Sequence, residues 1–205
     1  MSDPSMRVGS SEGFEKDNSG QDASWQWSRM RPWMRIMAEQ ALPNFMHHRV
    51  DASDIVQQAM TEAWRCRGTY LGTTTAERMA WLRVILKRTV LRQQERLLGA
   101  QKRDMRREVS IDAVLDATSL RLERFASDPS TAPDVKAEKV EQVIQVTTAL
   151  EQLSPDHRQV LMLRHFEDLS HEIIAERMDR TLAAARMLWL RALKALREKL
   201  ASSDL

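Results

Sequence analysis

Beyond about position 25, apolar residues recur at three- and four-residue spacing along most of the chain, a pattern that predicts helices. Trp33, Ile36, Met37 and Leu42 mark a first helix between Trp25 and about Met46, interrupted at Pro43-Asn44. A second begins near Asp51, which can cap it, with Asp54 in its first turn near the positive end of the helix dipole. Its apolar stripe is Ile55, Val56, Ala59, Met60, Ala63 and Trp64, which predicts Trp33 and Trp64 as core residues. Residues 66–73 (CRGTYLGT) hold two glycines and predict a loop. Thr74 and Glu77 then have capping-box spacing, with the hydroxyl accepting from the backbone and the carboxylate reaching back. The helix that follows carries Met79, Leu82, Ile85, Leu86 and Val90 on one side, and also Arg83, Lys87, Arg88, Arg92 and Arg96.

Periodicity weakens over residues 108–136, where acids are frequent and Ser127-Asp128-Pro129-Ser130 and Ala132-Pro133 punctuate the chain. This stretch is expected to be an acidic linker with a short helix near 111–123. Helices are predicted again near 137–152, 155–166, 170–178 and 182–200. Ser154 followed by Pro155 is the order of a helix start, and Ser170 and Thr181 suit N-cap positions. The fold class expected is therefore all-α, with two small helical domains joined by a flexible linker. Residues 1–24 read as a disordered tail, 25–107 as a helical bundle, 108–136 as the linker and 137–205 as a four-helix domain.

Composition supports this reading, since six Gly and six Pro among 205 residues favour long helices. The net charge of +2 hides a strong pattern. Residues 83–107 hold nine bases against two acids, 108–156 ten acids against four bases, and 177–199 seven bases against two acids. Two basic blocks around an acidic stretch suggest two surfaces for a polyanion. A single cysteine, Cys66, excludes an intramolecular disulfide and a cysteine-based metal cluster. No apolar run reaches the roughly 20 residues needed to span a bilayer, and the polar N-terminus lacks the apolar core of a signal peptide. A cytoplasmic protein without membrane insertion is expected.

The segment LSHEIIAERMDRTLAAARMLWLRALKAL has helix-turn-helix proportions. A short helix from Ser170 to Met178 precedes the turn Asp179-Arg180-Thr181 and a longer helix. Ala185, Leu188, Trp189, Ala192, Leu193 and Leu196 form the apolar sector of that helix. Thr181 caps it, and Ala183, Ala184, Met187, Arg191 and Lys194 occupy its other face with Arg186 at the boundary. Small residues at the start of a recognition helix let it enter the major groove, and the basic residues can then reach phosphates and base edges. Asp179 stands where positive φ is expected, which Gly adopts most cheaply and Asp tolerates.

These residues resemble the sigma-70 family, and specifically its small extracytoplasmic-function members. LSPDHRQVLMLRHFEDLSHEIIAERM is similar to region 4 at Leu153, Ser154, Arg158, Val160, Leu161, Leu163, Arg164, Leu169, Ser170, Ile174 and Ala175. RVDASDIVQQAMTEAW resembles region 2 at Asp51, Asp54, Ile55, Val56 and Gln57, and AWLRVIL resembles the helix that opens the −10 reading surface. The resemblance implies a transcription initiation factor that binds core RNA polymerase and promoter DNA, as duplex and as melted strand. Asp51, Asp54, Gln57 and Gln58 would meet the polymerase, and Arg83, Lys87, Arg88, Arg92 and Arg96 would form a phosphate track. Tyr70 and Trp81 would flank a place for unstacked bases, where stacking contributes about 1–3 kcal/mol per base. Region 4 would bind the −35 element through Thr181, Ala183, Ala184, Arg186, Met187, Arg191 and Lys194. An anti-sigma factor is a candidate further partner. Several positions depart from the family pattern: Arg88 stands where Asn is common, Arg92 where Asp is common, Tyr70 for Phe, and Ile173 for Glu.

No cofactor, metal or catalytic residue is expected. His171-Glu172-Ile173-Ile174-Ala175 begins like a zinc-protease motif, but Ala175 occupies the second ligand position. His157, His165 and His171 suit a solvent-facing or phosphate-adjacent role, and Trp81 could serve core or DNA. Two other classes fit parts of the pattern. A free-standing helix-turn-helix regulator would dimerise on symmetric half-sites, and a helical adaptor would meet acidic proteins. Neither needs Asp51, Asp54 and Gln57 beside a basic helix.

Overall fold

A computed structural model describes residues 27–43, 46, 48–98, 105–128 and 139–203. The expected tail over 1–24, Trp25, Asn44 and the Pro129, Ser130, Ala132 and Pro133 punctuation lie outside these residues. Eight helices run through the described residues: α1 (Trp27–Ala41), α2 (Ala52–Cys66), α3 (Thr75–Leu98), α4 (Met105–Ala126), α5 (Lys139–Glu151), α6 (Pro155–His165), α7 (His171–Arg177) and α8 (Leu182–Ser203). A 3-10 turn, Arg67–Thr69, follows α2. No strand occurs among the described residues.

Local chemistry sets most of the helix starts. Asp51 accepts from the Ser53 N–H at 2.8 Å, Ser154 from His157 and Ser170 from Ile173, both at 3.4 Å. Each satisfies a donor that the first helical turn leaves without an intrahelical partner. The capping box before α3 is complete. Glu77 Oε2 accepts from the Thr73 and Thr74 N–H groups at 2.9 Å, and Thr74 Oγ1 accepts from the Glu77 N–H at 3.2 Å. The N–H of Thr74, followed by that of Thr73, holds the Glu77 carboxyl below its usual range.

Helix α1 buries a broad face, with Met30, Trp33, Met34, Ile36, Met37, Ala38 and Ala41 in the core. This wide apolar arc, with Arg31, Arg35 and Glu39 on the remaining side, lets α1 pack against α2, α3, α4 and α5. Each large apolar side chain so buried contributes about 1.5–3 kcal/mol. The four-helix group α5–α8 packs around Val160, Leu161, Phe166, Ile174, Ala185, Ala192 and Leu196. One continuous apolar cluster links this group to α1–α3.

Helix α4 lies largely within the stretch expected as a linker. The short helix anticipated near 111–123 is part of a 22-residue helix. Ile111, Leu115, Thr118, Leu122 and Phe125 form its buried stripe at spacings of four and three, which is one helical face. That face packs on α1, α3 and α5. Phe125 sits edge-on to Phe166 at 5.8 Å and 4.7 Å from the His165 ring. Charges also cross the seam. Arg158 Nη2 donates to both carboxylate oxygens of Glu39 at 2.8 and 2.9 Å, Arg29 pairs with Glu141, and Arg35 lies 3.6 Å from Glu151.

Buried hydroxyls find partners inside their own helices. Thr89, Thr118 and Thr147 donate to the carbonyls four residues earlier at 2.7–2.9 Å, so none of them is left unsatisfied. Two sequence expectations are corrected here. Trp33 is core, but Trp64 is 40% exposed, with the Arg67 guanidinium 3.9 Å above its ring. The pair stays at the surface because a flat cation covers the indole face without leaving water. His165 is not solvent-facing; it is half-buried between Phe125 and Trp189.

Candidate nucleic-acid interfaces

The helix-turn-helix is built by α7, a tight turn and α8. Asp179 adopts φ 50°. Around it, the Arg180 N–H donates to Ala175 O at 2.8 Å and the Asp179 N–H to Glu176 O at 3.2 Å. These are the paired hydrogen bonds of a Schellman motif, in which a left-handed residue ends the helix. Thr181 Oγ1 then accepts from the Ala184 N–H at 3.2 Å and starts α8. Ala185, Ala192, Leu193 and Leu196 turn into the core, whereas Thr181, Ala183, Ala184, Arg186, Met187, Arg191 and Lys194 are all exposed. All seven predicted −35 residues are therefore exposed along the first four turns of α8 and its cap. Arg186 has only a loose contact with Glu172 at 3.5 Å, and Lys194 one with Glu198 at 3.9 Å.

Behind this face, Trp189 Nε1–H donates to His165 Nε2 at 3.2 Å. An indole nitrogen only donates, so this bond requires that His165 Nε2 carry no proton. Burial first, then the Arg164 charge, pushes the His165 pKa down, consistent with a neutral ring. His171 meets the Trp189 ring edge-on at 5.3 Å, and its pKa is also lowered, chiefly by burial.

The N-terminal surface is arranged differently. The five cations of α3 do not line up as one track. At 100° per residue, Arg83 and Lys87 fall on one side of the helix and Arg92 and Arg96 on nearly the opposite one. Arg92 and Arg96 line a groove of about 480 Å³ between α2 and α3, together with Asp54, Gln57, Gln58 and Glu62. Arg92 lies 3.5 Å from Glu62. Arg83, Lys87 and Arg88 instead line a hollow of about 410 Å³ with Asp112 of α4. Arg83 Nη2 lies 2.5 Å from Asp116 Oδ1, and Lys87 Nζ lies 2.6 Å from Asp112 Oδ2. Arg88 is exposed and holds no ion pair among the described residues.

Asp51 at the α2 N-cap and Asp54, Gln57 and Gln58 on α2 are all exposed, and the last three line the groove wall that faces Arg92 and Arg96. At the other end of α3, Tyr70 and Trp81 pack with ring centroids 5.3 Å apart, and the Tyr70 hydroxyl donates to Thr74 O at 3.2 Å. The loop closes over the tyrosine because Gly72 has no Cβ; a methyl group there would overlap the Tyr70 ring. Leu71 beside it is 92% exposed. The residues missed in the sequence reading are Asp112 and Asp116, whose i,i+4 spacing matches that of Arg83 and Lys87. Among the described residues, no group of three His, Cys, Asp or Glu side chains could hold a metal ion. No described helix is long and apolar enough to cross a membrane.

A cationic helix-turn-helix with an open recognition face defines the class of a DNA-binding protein. Residues 144–196 match the family model described as Sigma-70, region 4, so this segment of the chain is similar to region 4 of that family. The matched span begins inside α5 and ends inside α8, so it takes in α6, α7, the turn and α8 as far as Leu196. Among curated proteins no match was found. Among solved structures, the chain is similar to one chain of the "Cocrystal structure of the flagellar sigma/anti-sigma complex, Sigma-28/FlgM", at 17% identity and a TM-score of 0.31. That alignment covers 91% of this chain and 99% of the other.

Proposed function

We propose that this chain is a sigma factor of the extracytoplasmic-function type, which binds core RNA polymerase, recognises −10 and −35 promoter elements and starts transcription. The observation that carries the reading is the coincidence of the region 4 match over residues 144–196 with an open recognition face at Thr181–Lys194. On this reading residues 137–205 set position on the −35 duplex, with Arg186, Arg191 and Lys194 reaching phosphates and base edges while Ala183 and Ala184 allow close approach.

Residues 25–107 act at the −10 element and on the polymerase. The polar α2 face of Asp51, Asp54, Gln57 and Gln58 suits a basic partner helix. Tyr70 and Trp81 offer stacking surface for unpaired bases, beside Arg83, Lys87 and Arg88. Arg92 and Arg96 share the α2 groove, and we assign them to the boundary between polymerase and DNA. The chain contributes no catalytic group, since nucleotide addition belongs to the polymerase, and its place of action is the cytoplasm. An anti-sigma factor is a further candidate partner.

Co-elution with bacterial core RNA polymerase tests this assignment. The wild-type chain is expected to bind stoichiometrically, and Asp54→Ala to weaken binding by about tenfold, the equivalent of roughly 1.4 kcal/mol. A wild-type chain that never co-elutes with core at any ionic strength would overturn the reading.

A further inference from the structure

Helices α3 and α4 run antiparallel in a register that pairs Arg83 with Asp116 and Lys87 with Asp112. Each pair member is one helical turn from the next, so the two acids present charge at the spacing of the two cations. Arg83 also donates to the Asp112 carbonyl at 3.4 Å. The adjoining face of α4 is its apolar stripe, seated on α1 and α5 and set against His165 of α6 through Phe125. Arg121 adds an ion pair at 3.0 Å to Asp168, between α6 and α7. Arg158–Glu39 and Arg29–Glu141 join the same two halves directly. The carboxylates that engage the α3 cations are therefore held by a helix anchored in both halves of the molecule.

We propose that α4 is an internal nucleic-acid mimic: its Asp112–Asp116 face occupies the cations proposed for the melted strand and keeps the free chain closed to single-stranded DNA. This inference rests on the sigma-factor reading and adds a regulatory element that acts within the chain. Opening the packing between the two halves withdraws Asp112 and Asp116 together, because both sit on one rigid helix. The α8 face carries no such cover, so the free chain is closed at one DNA surface and open at the other. Core polymerase, by separating the two halves, would expose Arg83 and Lys87 at the moment a melted strand is available.

The test is a double-mutant cycle read by fluorescence anisotropy, with a labelled 20-nucleotide mixed-sequence single-stranded DNA and the free full-length chain. Asp112→Asn/Asp116→Asn is expected to raise affinity about tenfold at fixed salt, and circular dichroism checks its helix content. The gain should shrink below twofold in an Arg83→Ala/Lys87→Ala background, because the acids act through those cations. A gain of equal size in both backgrounds would mean bulk charge alone, and no gain in the first would remove the mimic; either result overturns the proposal. Hydrogen exchange on the wild-type chain adds a readout that needs no variant. Residues 111–126 should exchange faster when core polymerase is bound, and unchanged protection would overturn the closed state. If core binds normally while these tests fail, the sigma-factor reading stands and only the mimic falls; if core does not bind, the underlying reading fails instead.

Discussion

The two cationic surfaces of this chain differ in what their charges meet. On α8, Arg186, Arg191 and Lys194 project from a helix whose other side is core, and among the described residues their contacts with acids are loose or absent. On α3, Arg83 and Lys87 are half-buried at 2.5 and 2.6 Å from carboxylates 33 and 25 residues away. A basic helix is therefore not by itself an available basic surface. Availability depends on where the acids of the same chain are folded, and here they are folded onto one surface and not the other.

The largest effect expected on this contrast comes from the helix that creates it. Phe125→Ala should cost about 3–5 kcal/mol in urea denaturation, the usual loss for emptying a buried aromatic site, because its ring touches both α4's neighbours and α6. A loss below about 1 kcal/mol would mean that α4 is not anchored in the core.

Duplex binding sharpens the comparison next. With a mixed-sequence duplex at low salt, Arg186→Ala/Arg191→Ala/Lys194→Ala should lower affinity at least about tenfold and reduce the salt slope by roughly two to three. Arg83→Ala/Lys87→Ala should change free-chain affinity less than about twofold. Equal losses in the two variants would erase the distinction between an open and a covered surface.

A smaller change is expected in the turn that aims α8. Asp179 adopts a left-handed conformation that Gly adopts without strain, so Asp179→Gly should add up to about 1 kcal/mol and raise Tm by about 2–4 °C. A lower Tm would indicate that the aspartate side chain has a stabilising role of its own.

The smallest effect is on pH dependence behind the recognition face. The His165 pKa is lowered in the folded chain, so in the mildly acidic range the unfolded chain binds the extra proton. Stability is then present above the unfolded value of about 6.5 and is lost as pH falls through it toward the folded value. His165→Gln keeps an acceptor for Trp189 and removes that titration. Its loss of stability between pH 7.5 and 5.5 should be smaller than the wild type's, although His171 continues to contribute. An identical pH profile would show that His165 is not titrating differently in the folded chain.

Much of this architecture is legible in the residues themselves, and the gaps have physical causes. The helix-turn-helix is visible because its signals are local: Ser170, Asp179 and Thr181 act within three or four residues, and the α8 stripe is regular. The capping box at Thr74–Glu77 is visible for the same reason. Helix α4 is harder to see because Thr118 interrupts its apolar stripe and the acids around it read as solvated linker. Its 111, 115, 118, 122, 125 spacing is nevertheless helical. The breadth of the buried face of α1 follows from Met34 and Ala38 extending the stripe of Trp33, Ile36 and Met37. The α3 cations misled through their order in the chain; their angular positions separate Arg83 and Lys87 from Arg92 and Arg96. The pairing of Arg83 and Lys87 with Asp116 and Asp112 is a tertiary fact that no local spacing encodes.

Promoter-dependent transcription tests the central claim most directly. Core RNA polymerase would be reconstituted with the purified chain on fragmented genomic DNA of the source organism, and transcript start sites mapped. The account predicts discrete starts that require the chain, sit downstream of paired −10 and −35 elements, and weaken with Arg186→Ala. Starts identical to those of core polymerase alone, or starts unaffected by loss of the basic α8 face, would contradict it.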